Sequence, residues 1–291
     1  MWEKGRRIVF SIVLSYTMFL FVGIVSVSAA TKETMTKAFS DSDVLESFTV
    51  NDNTESAGDL YSPAWQPTEA STLSIIGGSD DRELVKNSKA FPNSCTGKII
   101  IKWRDGSVGH GTAFMVSANK ALTAGHCLYD SKRGGYARSI QIYPGRSLTS
   151  SGSIYNPYGS ASSEYVVTYD RFTNLGDSNY DCGIIKFSTN IGNKTGWLGM
   201  HCNPGISFVN REYRMTGYSG TGSRMMIGRG FVRKSTYYKL FYDCDTVEGT
   251  SGAALYKKYT NNGWTAVGIH SIGGTSTNSG TRIHKSLFDE I

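Results

Sequence analysis

Short runs of apolar or alternating residues recur along this chain, at 99–103, 112–116, 139–143, 165–169, 184–187, 206–209, 213–216, 237–242, 253–256 and 264–270, each bounded by turn residues. Runs this short do not build a helix face, whereas residues two apart on a strand share one side of a sheet, so each run reads as a strand. The 33 Gly against only 6 Pro supply the breaks between them. The expectation is an all-β protein of antiparallel barrels or a sandwich. A single helix is expected at the end, about 284–291, where Leu287, Phe288 and Ile291 can share a face. With 39% apolar and 19% charged residues the chain is not disordered, collagenous or a coiled coil. It contains no internal repeat.

Residues 1–30 are set apart from the fold. Lys4, Arg6 and Arg7 precede an apolar run that ends in Ser28-Ala29-Ala30, the small-residue pattern at which signal peptidase cuts. A run of this length also suits a bilayer-spanning anchor, but the small residues at its end favour a signal peptide, and no second apolar span follows. The expectation is a secreted protein with no stable membrane association after signal removal.

Residues 31–73 carry eight acids against two lysines, a net charge of −6, while 74–291 carry 25 basic and 15 acidic residues, a net of +10. An acidic segment ahead of a basic domain suggests a removable pro-segment held partly by charge, with a solvated spacer as the plainer alternative. The basic residues are scattered in pairs at most and follow no nucleic-acid-binding signature, so no nucleic-acid partner is expected. The five cysteines, Cys95, Cys127, Cys182, Cys202 and Cys244, are expected to form disulfides in an exported chain, leaving at least one unpaired and fifteen two-bridge patterns open. His126-Cys127 and His201-Cys202 lack metal-ligand spacing, and no metal or cofactor is expected.

Three segments pair a reactive side chain with the backbone that its chemistry needs. In Thr123-Ala124-Gly125-His126-Cys127 a histidine follows a strand, and an imidazole titrating near neutrality can move a proton to and from a hydroxyl. In Asn179-Tyr180-Asp181-Cys182-Gly183 a carboxylate heads an apolar strand, suited to orienting that ring. In Glu248-Gly249-Thr250-Ser251-Gly252 glycines flank a serine, so a tight turn can expose its Oγ and aim the Gly249 and Ser251 amides at one point, an oxyanion hole. Each motif alone is common. The order His, Asp, Ser along one exported all-β chain points to a catalytic triad of His126, Asp181 and Ser251.

With these motifs the sequence resembles the trypsin-like serine peptidases, and among them the secreted glutamyl endopeptidases of the V8 type. The resemblance spans most of residues 75–291, including Ile76-Gly77-Gly78-Ser79, Thr123-Ala124-Gly125-His126-Cys127, Asn179-Tyr180-Asp181, Asp245-Thr246 and Gly280-Thr281-Arg282-Ile283. It implies two six-stranded antiparallel barrels, over 74–190 with His126 and Asp181 and over 191–291 with Ser251, and a monomer acting on protein or peptide substrates. It also implies that His270 and Thr246 bind a substrate glutamate, lined by Ser271, Ile272 and Gly273. Aspartate is the expected second choice.

Two alternatives stay open at this level. Asp245 stands six residues before Ser251, where trypsin carries the acid that selects Lys or Arg, and a peptidase-like fold can also serve as a non-catalytic adhesin or toxin. Thr250 replaces the aspartate that pairs with the freed amine in trypsin, so a new amine at Ser74 would serve instead in carboxylate binding, as the resemblance implies. Cleavage after Glu69 is the other expected site of maturation. Glu248 replaces the family's Gly near the pocket, Ala253-Ala254 its Ser-Pro, and Gly111 the cysteine that bridges to Cys127 in bacillary relatives.

Overall fold

The computed structural model describes residues 31–52 and 73–291; the signal segment lies outside them. Six antiparallel strands close a first barrel in the order Ser139–Pro144, Thr96–Lys102, Val108–Met115, Lys120–Thr123, Gly183–Phe187 and Ala161–Tyr169, the last pairing back onto the first through Gln141 and Ser162. Six more close a second barrel in the order Gly263–Ile272, Ala254–Tyr259, Glu212–Tyr218, Met225–Ser235, Lys239–Tyr242 and Asn278–Arg282, sealed by pairing of the first and last. Strand alternation fills the interiors: along Ser139–Pro144 the residues Ile140, Ile142 and Pro144 are buried while those between are half-exposed.

The expected strands form, with two differences. Residues 206–209 are not a strand, although Phe208 is fully buried beneath His201 and Tyr213, so its apolar signal reports burial rather than sheet pairing. Strands Lys120–Thr123, Met225–Ser235 and Asn278–Arg282 were not among the expected runs. In Met225–Ser235 the inward positions include Gly228 and Gly230, whose missing side chains erase the apolar half of the alternation. A Cβ on Gly230 would lie 2.5 Å from Asp243 Oδ1. The terminal helix is one short turn, Lys285–Asp289, that buries Leu287 and leaves Phe288 exposed.

The described part of the acidic segment forms a hairpin, Thr31–Phe39 with Leu45–Asp52, whose first strand extends the first barrel by pairing Met35–Phe39 against Tyr165–Tyr169. Buried Met35 and Ala38 join the barrel core, and buried Glu33 accepts a hydrogen bond from Tyr180 Oη at 3.1 Å and pairs with Arg171. Asp41 and Asp43 meet Arg138 and Arg104. Residues 31–52 are thus docked on the first barrel, with charge pairs to it.

All five cysteines are free thiols, against the expectation of disulfides. Cys127 faces Gly111, where a Cβ would lie 2.9 Å from its Sγ, so the position that could bridge it carries no sulfur. Among the described residues no helix is long and apolar enough to cross a membrane.

Candidate active site

The register Gly183↔Thr123 sets two neighbouring strands so that the turn after one and the turn before the other leave the same end of the first barrel. The turn Gly125–Cys127 carries His126 and the turn Ser178–Tyr180 delivers Asp181. Asp181 is fully buried, and its Oδ2 lies 2.9 Å from His126 Nδ1 while its Oδ1 accepts the His126 backbone N–H at 2.8 Å. This double contact fixes the ring through Nδ1 and leaves Nε2 unengaged by Asp181. Burial works most strongly against a charged His126 ring, yet the charge and hydrogen bond of Asp181, with those of neighbouring Cys127, outweigh it and hold the imidazole well above its ordinary pKa of 6.5. Burial likewise opposes the Asp181 charge, but His126 keeps that carboxyl below the usual carboxylate value.

Ser251 comes from the second barrel, ahead of strand Ala254–Tyr259, and is docked onto the first by Thr112, whose N–H donates to the Ser251 carbonyl at 2.8 Å. Thr112 Oγ1 also donates to the Gly249 carbonyl at 2.9 Å and accepts the Tyr218 N–H at 3.1 Å. Thr112 thus clamps the serine turn, and no local motif marks it in the sequence. Ser251 Oγ makes no hydrogen bond among the described residues, a looseness common in substrate-free sites. Cys127 Sγ lies 3.9 Å from the Ser251 carbonyl, and its side chain also interacts with the His126 ring.

The turn at Gly249 has φ +90°, and a Cβ there would lie 2.3 Å from Gly220 N. Only glycine fits. The Glu248 carbonyl accepts the Gly220 N–H at 2.7 Å, so the Gly249 N–H at the other end of that trans peptide points the opposite way. Thr250, Gly252 and Ala253 spend their amides on protein carbonyls, whereas those of Gly249 and Ser251 donate to none among the described residues. Two unspent amides beside a half-buried serine with no hydrogen bond on its hydroxyl can receive an oxyanion.

His270 and Thr246 are both buried. The His270 N–H donates to the Ala253 carbonyl and the His270 carbonyl accepts the Gly252 N–H, each at 2.8 Å, so this strand is stitched to the serine turn. Tyr242 Oη lies 2.7 Å from His270 Nδ1. Burial first, and the nearby His126 charge second, bring the His270 pKa down to about 3. Its imidazole is neutral near neutrality, so any hydrogen bond it gave a ligand would be uncharged, unlike that of a protonated ring. Ser271 is buried, Ile272 half-buried and Gly273 exposed along the same strand end.

The Leu73–Ser74 pair runs antiparallel to Thr246–Val247, with Ser74 opposite Thr246. A Cβ on Gly273 would lie 1.9 Å from Ser74 Oγ, and Asn278 Nδ2 holds the Ser74 carbonyl at 3.0 Å. Asp245 turns to the same segment: its Oδ1 accepts the Ile76 N–H at 2.6 Å and its Oδ2 the Asp81 N–H at 3.0 Å.

No protein-family model matches the chain. It is 36% identical over 221 residues to the extracellular metalloprotease of Bacillus subtilis, spanning 75% of this chain and 69% of that one. It is 34% identical over 251 residues to the glutamyl endopeptidase of Bacillus licheniformis, spanning 83% and 74%. A solved Glu endopeptidase structure superposes with a TM-score of 0.63 at 27% identity, covering 74% of this chain and 96% of that chain. The protease Anisep from Arthrobacter nicotinovorans, at 17% identity and a TM-score of 0.57 over 72% and 96%, shares the fold. The first relative's name implies a metal, but among the described residues no three His, Cys, Asp or Glu side chains cluster to hold one. The residues present do not fit that group. Sequence identity sustained over most of both chains, on a trypsin-like pair of closed barrels, makes this chain a serine endopeptidase belonging to the glutamyl endopeptidase family.

Proposed function

We propose that the protein is exported, matures by loss of its acidic segment, and hydrolyses peptide bonds after glutamate, with aspartate as second choice. Ser251 Oγ attacks the scissile carbonyl while His126 Nε2 takes its proton, and the oxyanion that forms is met by the Gly249 and Ser251 amides. Collapse of this intermediate breaks the C–N bond as His126 returns the proton to the leaving amine, leaving an acyl-Ser251 ester. Water, deprotonated by His126, then hydrolyses the ester and restores the serine. Asp181 holds the ring in orientation and balances its charge without taking the proton.

The observation that carries the glutamate preference is the commitment of both Asp245 oxygens to backbone amides, in a residue 2% exposed, beside buried His270 and Thr246. A receptor for carboxylate needs donors and no competing negative charge. His270 N–H and Thr246 hydroxyl are such donors, and cleavage before Ser74 would add an ammonium opposite Thr246. The +10 charge of residues 74–291 favours acidic substrates at longer range.

Mass spectrometry of peptides released from a denatured protein, with Ser251→Ala as control, tests this reading. Cuts after Glu that vanish in the control are expected, unaffected by a chelator. Cuts after Lys or Arg would assign the pocket to Asp245, and no cuts at all would favour a non-catalytic adhesin or toxin.

A further inference from the structure

Lys98 lies on the outward face of strand Thr96–Lys102, where alternation alone would leave a lysine in water, yet it is 1% exposed because the second barrel covers it. Its direct partner across the strand pair is Thr112, so the two side chains leave the same face toward the serine turn. Thr112 reaches the Gly249 and Ser251 carbonyls. Lys98 Nζ reaches the carbonyls of Ser219, Gly220 and Gly222, one for each of its three N–H donors. Among the described residues no carboxylate pairs with it, although burying a cation without a counter-charge is costly.

The 219–222 loop that it gathers is the one whose Gly220 N–H holds the Glu248 carbonyl and thereby aims the Gly249 amide. Without a cation among them, three converging carbonyls repel one another and the loop opens. The Glu248–Gly249 peptide is then free to turn its carbonyl toward the place its N–H should serve.

We propose that Lys98 is a positioning residue for the oxyanion hole, acting through the chain Lys98 Nζ, Gly220 peptide, Glu248 carbonyl, Gly249 N–H. The inference rests on the catalytic reading of Ser251 and Gly249 given above and is independent of which residue the pocket selects.

The test compares Lys98→Met with the wild-type enzyme on whichever peptide the mapped cleavages identify. The expected result is a kcat lower by about 10- to 100-fold with KM within about twofold, since losing one oxyanion donor outright costs about 10²–10³ in kcat. A peptide aldehyde, whose hemiacetal oxygen sits in the hole, weakens by the same factor, while the matching peptide acid, which binds without that adduct, keeps its inhibition constant. The milder Lys98→Gln, which keeps an amide donor, falls between the two and serves if Lys98→Met does not fold. An unchanged kcat, or equal weakening of aldehyde and acid, overturns the proposal. Ser251→Ala run alongside separates the two levels: activity surviving in it removes the catalytic reading itself, whereas an inactive Ser251→Ala beside a fully active Lys98→Met rejects only the role of Lys98.

Discussion

The Asp245 carboxylate accepts the Ile76 amide at 2.6 Å, so the acid that stands where trypsin selects basic residues is bound to the start of the chain's own folded domain. With Asp81 N–H on the other oxygen, each carboxylate oxygen accepts a backbone amide, and burial and then the Asp245 charge raise the pKa of the neighbouring Asp81 carboxyl.

Asp245→Asn is therefore expected to cost stability rather than redirect cleavage. A carboxamide oxygen replaces one acceptor, but its NH2 meets a backbone N–H, and losing a hydrogen bond to a buried charged group costs about 1.5–3 kcal/mol. Denaturant unfolding measures the loss, and peptide mapping should show the same residue before the cut. A shift in the Glu to Lys cleavage ratio would mean that the carboxylate faces substrate.

On the proposed mechanism activity needs the neutral His126 ring, and Asp181 together with Cys127 holds that ring's pKa well above 6.5. The acid limb of kcat/KM should thus rise with pH through a midpoint above 6.5. Asp181→Asn removes the charge that raises it: the midpoint moves down and kcat falls on the order of 10⁴-fold. A group whose folded pKa is raised stabilises the native state fully below its unfolded pKa and loses that contribution as pH climbs through the folded one. The His126–Asp181 ion pair therefore stabilises the acidic, inactive form more than the active one, which a paired titration of stability and rate would detect.

Gly111→Cys should form a disulfide with Cys127. The new Cβ would stand 2.9 Å from the existing sulfur, and Ile99, 3.3 Å away, has only to yield by tenths of an ångström. Closing this loop of about 15 residues is worth about 3 kcal/mol in the chain-entropy account. The oxidised variant should melt higher than its reduced form, and two titratable thiols at these positions in the oxidised sample would refute the geometry.

Thiol labelling of the native protein should modify Cys202 alone. Cys95, Cys127, Cys182 and Cys244 are buried, and burial pushes the Cys95 thiol up to about 12 and raises those of Cys182 and Cys244 as well. Cys202, half-buried, is also raised, first by burial, so its labelling is slow rather than absent. One adduct before denaturation and five after it, without reductant, is the expected count by intact mass.

The proposed catalytic trio was legible as a candidate because its signals are local: glycines around Ser251, small residues before His126 and a carboxylate at the head of an apolar strand are each written within a few residues. Strand positions were legible where inward residues are apolar, as at Ile140 and Ile142, and hidden where they are glycine, as at Gly228 and Gly230.

Residue chemistry and alternation thus determined, by themselves, the all-β class, the order of the reactive groups and the glycine-flanked turn at Ser251. Tertiary structure alone decided where polar side chains were spent. Asp245 could as well have faced a ligand until Ile76 and Asp81 were brought to it from 169 and 164 residues away. Lys98 and Thr112, outward-facing by alternation, became buried only when the second barrel closed over them. Alternation sets which face of a sheet a side chain leaves by, but a polar group's partner is whichever donor or acceptor the folded chain puts within about 3 Å, and that is a property of the closed barrels rather than of any local segment.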